Sequence, residues 1–265
     1  MKNFAWKLLC LALALSFLLC ACGEKAPANV ETTQATEPVI TTEGALRTAL
    51  EEGGRVTLGA DIALSSEIMV SGHVFNGGGN TLTGPAYVDG QETSENAITM
   101  TGGTVEDVVV KGAYRGIGDR KGYGATSDVR INNVTVDSDT YVLNFGYGNG
   151  QAKMYVSGST LLGWTSFTKF AEAQFTDCTF GWCASGANGN LRPYINTTLI
   201  GCKFEGKTEA DGTVTPFNIS FKNGTDGVLL VLENCYVGEE LITQENMEQL
   251  LSINLAGNTI VVRNS

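Results

Sequence analysis

The chain has 265 residues, 43% apolar and 17% charged, with 33 glycines and a formal net charge of −11. That length supports one sizeable core or two small ones. High glycine content with few helical periodicities points to an all-β protein. The negative balance argues against nucleic acid as a partner, and against an anionic membrane surface gripped by charge.

The first residues read MKNFAWKLLCLALALSFLLCACGEK. Lys2 and Lys7 precede an apolar run over 8–19, too short to cross a bilayer and suited to a secretory h-region. Leu19-Cys20-Ala21-Cys22-Gly23 resembles the lipobox of bacterial lipoproteins. The resemblance implies cleavage between Ala21 and Cys22 and a diacylglyceryl thioether on Cys22. It also implies export, with the chain anchored to the cell envelope on its extracytoplasmic side. Each buried CH₂ contributes about 0.8 kcal/mol, so two or more acyl chains hold stably where one does not. Residues 1–21 are thus expected to be a signal peptide. Residues 22–42, rich in Thr, Glu, Ala and Pro without apolar period, are expected to be a tether with a reach of roughly 25 Å.

From residue 43 the character changes, and 43–265 reads as one domain. TEGALRTALEEGG puts Ala45, Leu46, Ala49 and Leu50 on one helical face, with Thr42 to cap the start and Gly53-Gly54 to stop it. Short β-branched runs follow, broken by Gly, Ser and Asn. Later segments repeat an apolar–turn–apolar pattern: VEDVVV, INNVTV, VSGSTL, FTDCTF, LIGCKF and LENCYV. Their turn residues are Asp107, Asn133, Gly158, Asp177, Gly201 and Asn234, 19–33 residues apart. A period of that size marks a solenoid of strand–bend–strand units that must stack to bury their apolar faces. EELITQENMEQLL, residues 239–251, has a helical pattern suited to covering an end.

The run ALRTALEEGGRVTLGADIALSSEIMV with NGGGNTLTG, and the steps INNVTV and LENCYV, resemble the right-handed parallel β-helices of the pectin-lyase-like superfamily. The resemblance implies that fold, with an N-terminal capping helix. It leaves the activity open, since the superfamily hosts lyases, hydrolases, isomerases, adhesins and domains without chemistry.

Val108, Val134, Ser159, Cys178, Cys202 and Cys235 all occupy the first inward position after the bend. Coils about 4.8 Å apart would stack Cys178, Cys202 and Cys235 into an interior column, where free cysteine acts as a small hydrophobe. The alternative is a Cys178–Cys183 disulfide. Zinc is disfavoured: there is no C-x-x-C, and the single histidine, His73, is remote.

In the superfamily's hydrolases paired carboxylates act as acid and base. In its lyases, carboxylates hold Ca²⁺ near the substrate's uronate and an Arg or Lys base takes the proton α to the carbonyl. The motifs of both branches are missing here. The polar connection YRGIGDRKGYGATSD holds Tyr114, Arg115, Asp119, Arg120, Lys121 and Asp128. Of these, Asp119, Arg120 and Lys121 are the catalytic candidates. Tyr114, Arg115, Tyr147, Trp164, Trp182 and Tyr194 are the candidates for holding a ligand. The last four are expected in or near connections, where rings stack on sugars. Phe145, Phe170 and Phe221 are expected inside. The expected protein is a monomeric, lipid-anchored, non-catalytic module that binds glycans or envelope components. It uses no metal or other cofactor. Alternatives are a divergent polysaccharide lyase, which would take Ca²⁺, a glycoside hydrolase, and an adhesin.

Overall fold

A computed structural model describes residues 39–265. The expected signal peptide, Cys22 and most of the expected tether lie outside these residues. Val39–Ile40 falls within the segment expected to be tether, yet it forms a strand paired in parallel with Thr57 and Leu58. Among the described residues the parallel sheet thus already includes Val39.

The fold is a right-handed parallel β-helix. Helix α1, Glu43–Glu52, starts where the Thr42 hydroxyl accepts the Ala45 N–H, and ends at Gly53 with φ of 82°. It buries Leu46 and Leu50 against the first coil, while Ala45 stays in solvent.

Each coil contributes strands to three parallel faces. The pre-bend face runs through Lys153–Ser157, Glu172–Thr176, Thr197–Ile200 and Leu229–Glu233. The post-bend face includes Val109–Lys111, Thr179–Gly181 and Lys203–Phe204. The third face includes Arg115–Gly118, the C-terminal half of Thr135–Phe145, Thr160–Phe167 and Asn190–Pro193.

The bends fall where the sequence put them. Asp107, Asn133, Asp177 and Asn234 have φ of 50–52°, and Gly158 and Gly201 have 56° and 63°. Asn and Asp tolerate that region best among residues with a Cβ. One further bend, at Gly78 with φ of 58°, belongs to the NGGGN stretch. The bends also stack: the N–H groups of Asp107, Asn133, Gly158, Asp177 and Gly201 each donate to a carbonyl of the next coil.

Behind the bends Val108, Val134, Ser159, Cys178, Cys202 and Cys235 are all 0–1% exposed. Cys178, Cys202 and Cys235 are free thiols, so the alternative Cys178–Cys183 disulfide is not formed; Cys183 is buried with its Sγ 3.2 Å from the Ser185 hydroxyl. Each column thiol faces a carbonyl one coil back: Cys178 that of Val156, Cys202 that of Phe175, Cys235 that of Leu199. Phe145, Phe170 and Phe221 are buried as expected. A further run of rings, Phe167, Phe175, Phe180, Phe204 and Phe217, packs at centroid distances of 5.3–5.5 Å.

The C-terminal end differs from the helical expectation over 239–251. Gly238, at φ of 59°, turns Tyr236–Val237 onto Glu240–Leu241 as an antiparallel pair, and α2 spans only Met247–Leu250. This segment still covers the end. Ile242, Met247 and Leu251 are buried, and the Gln244 side-chain Oε1 accepts the Val262 N–H of the last strand at 3.0 Å, which blunts an edge that invites aggregation.

Candidate functional site

The third face carries the concentration of polar and aromatic side chains. Asn96, Arg115, Tyr141, Trp164, Asn190 and Asn218 share one register position on successive coils. A second position runs through Asn144, Ser166 and Arg192. Between them Leu143, Thr165 and Leu191 point inward and are fully buried.

The rings stack on one another. Tyr141 lies 4.8 Å from Trp164 between centroids, at 27°. On the far side of Trp164, from the next coil, the Arg192 guanidinium sits 4.5 Å from the ring centroid. Arg115 approaches Tyr141 from the preceding coil at 5.7 Å and Tyr114 at 5.6 Å, and Tyr87 stacks on Tyr114 at 4.4 Å. Lys222 lies 5.8 Å from the Tyr194 ring. Arg115 also pairs with Glu95 at 2.6 Å. Arg192 and Lys222 form no ion pair among the described residues.

This geometry corrects the expectation for Trp164. It lies within Thr160–Phe167 and not in a connection, and both of its faces are covered. No face is left for a sugar to stack on, and the same holds for Tyr141. The ladder offers ring edges, hydroxyls and guanidinium N–H groups instead. Burial pushes the Tyr141 hydroxyl's pKa up, so it remains a donor across neutral pH. The side chains of Asn144 and Asn218 have no hydrogen-bond partner among the described residues, so their amides are available.

Trp182 is also no platform. It packs on the core and against Gly189, and Lys207 lies 5.7 Å from its ring. Tyr147 is 55% exposed and remains an open ring.

Asp119, Arg120 and Lys121 do not converge. Asp119 is 2% exposed and accepts the N–H groups of Gly146 and Tyr147 at 2.6 and 2.9 Å. Burial raises its pKa despite those bonds. Arg120 turns away to Glu67, at 2.5 Å. Lys121 is exposed at a turn. Asp128 accepts the Lys153 N–H and faces Arg130, away from all three.

Among the described residues no group of three or more His, Cys, Asp or Glu converges to hold a metal ion. Glu67 and Glu95, acids bordering the third face, are each tied to an arginine. No helix of the described residues is long and apolar enough to cross a membrane.

Sequence reasoning missed Tyr87, Tyr141, Arg192, Lys222 and Glu67. Arg192 and Tyr141 become visible only once the coils are in register, because nothing in their own segments marks them. No protein-family model matches the chain, and comparison with curated proteins and with solved structures finds no match.

Proposed function

We propose that the chain is an exported β-helix, lipid-anchored at Cys22, whose third face binds an extended polyhydroxylated polymer without cleaving it. One observation carries the reading. Among the described residues, the face from Tyr141 to Asn218 presents amides, hydroxyls and two cations without an ion-pair partner, Arg192 and Lys222, and no carboxylate stands in its outward rows. Glycoside hydrolysis needs two carboxyl groups across the bond, roughly 5–10 Å apart, and the face has none. The coil spacing, about 4.8 Å, repeats donors along a line and suits a linear chain. Recognition on the ladder runs through hydrogen bonds and charge, because the ring faces of Tyr141 and Trp164 are taken. The Leu19–Gly23 sequence supports anchoring, and the acidic body is held off an acidic envelope by repulsion.

The test is a binding panel of cellulose, xylan, polygalacturonate, chitin and peptidoglycan with the mature chain. Arg192→Ala combined with Asn218→Ala should weaken the best interaction about tenfold or more, some 1.4 kcal/mol, with no new reducing ends or unsaturated products. Turnover by the wild-type chain would overturn the non-catalytic reading; equal binding by the double variant would remove the face from the site. Labelling with radioactive palmitate should be lost in Cys22→Ala.

A further inference from the structure

Met69, Thr99, Gly118 and Asn144 hold one register position on four successive coils of the third face. Ser166 and Arg192 continue it. The row should therefore run open along the molecule, but it is crossed at Thr99. The connection 119–127 leaves its own coil there, and Arg120 reaches back to Glu67, 2.5 Å from Nε to Oε1. The other Glu67 oxygen accepts the Thr99 hydroxyl at 2.6 Å. Asn96 Nδ2 donates to Thr99 Oγ1 at 2.9 Å and to the Asp119 carbonyl.

The crossing buries groups that face outward and are polar. Asn96 and Thr99 are fully buried and Glu67 is 7% exposed. Asn96 Oδ1 has no hydrogen-bond partner, a costly state for a buried acceptor. A pillar built for stability would use apolar groups here, since a buried ion pair is weak evidence for stability and is best attested in registry and switching. The segment is anchored at Asp119, whose carboxylate accepts the Gly146 and Tyr147 N–H groups, and at the fully buried Ala125, but between these anchors 120–124 is lightly held. Lys121 is exposed, Gly122 takes φ of 81°, and Tyr123, 41% exposed, lies 4.0 Å over the Arg120 guanidinium. On one side of the crossing lies an open groove of about 390 Å³ bounded by Arg47, Leu50, Glu67, Met69 and His73. On the other lies the polar face.

We propose that residues 120–124, between the anchors Asp119 and Ala125, form a strap latched by Arg120–Glu67, and that unlatching it joins the groove to the polar face. The joined surface gains Asn96, Thr99 and the Glu67 carboxylate as further partners for hydroxyl groups of a longer polymer. This rests on the polymer-binding reading for its ligand, though not for the motion.

Hydrogen exchange of the full chain reads the motion directly. Arg120→Ala, and the shape-conserving Glu67→Gln, should speed exchange about tenfold or more over 120–124 and 96–99, leaving 197–200 and 229–233 protected. Unchanged exchange in both variants would sink the latch. Protection lost throughout would make the pair a structural pillar and overturn the proposal equally. Binding is read apart, with whichever panel polysaccharide the wild-type chain holds best. Both variants should bind a long polymer about threefold tighter or more and a disaccharide no differently; equal or weaker binding of the long polymer would overturn the gating role. If all three proteins ignore every polysaccharide, the reading of the face fails, while the exchange result still decides whether the strap opens.

Discussion

Asn133 Nδ2 donates a 2.6 Å hydrogen bond to Oδ1 of Asp107, one coil earlier, and both residues hold φ of 52°. The same two features that let a side chain tolerate this backbone, short length and a polar tip, also tie one bend to the next. Bend and ladder are a single device.

That device makes the two glycine bends unequal. A Cβ at Gly158 would meet nothing closer than 4.0 Å, so Gly158→Ala suffers only from its φ of 56°, about 1–2 kcal/mol. A Cβ at Gly201 would come 2.4 Å from Asp177 Oδ1. Gly201→Ala should therefore cost more, and Asp177→Ala in that background should recover the excess. Urea midpoints at constant slope measure the coupling; strict additivity would contradict it.

The interior thiols should behave as packing. Hydrogen bonds to Cys178 and Cys235, then burial, push the Cys202 thiol's pKa up, so thiolate is scarce. Alkylation by iodoacetamide, mapped by mass spectrometry, should reach Cys178, Cys202 and Cys235 only as the chain unfolds. Cys202→Val should cost less than about 1.5 kcal/mol, because Val108 and Val134 already fill this slot. Labelling of Cys202 in the native protein would refute the packing role.

Asp119 gives a pH dependence of definite sign. Its pKa is raised by burial, so the folded state binds a proton more readily than the unfolded one. Between the ordinary carboxyl value, about 3.9, and the raised value, stability increases as pH falls. Asp119→Asn should flatten that part of the stability profile. A wild-type profile that drops steadily from neutral pH through this window, unchanged in the variant, would contradict the assignment.

The frame was legible because coil architecture writes itself locally. Each bend shows as Asp, Asn or Gly between apolar residues, and all six fall at positive φ. The thiol column followed from aligning them. The face was not legible. Trp164 reads as an aromatic near a connection until register sets it between Tyr141 and Arg192. Glu67 and Arg120 lie 53 residues apart, and no local pattern joins them. The residues 239–251 look amphipathic, but Gly238 and the demand to close the last coil override helix propensity.

Because every bend must stack on its neighbours, a coil absorbs little extra length along its walls, as in the one-residue bulge between Tyr141 and Leu143. Surplus residues are expelled at the corners. The longest interval, from Gly201 to Asn234, sheds its excess partly as the small antiparallel finger of Lys207–Thr208 and Val214–Thr215. The outline of such a molecule can drift by insertion while its cross-section stays constant, so the corners beside the third face are where lineages of this chain are free to diverge.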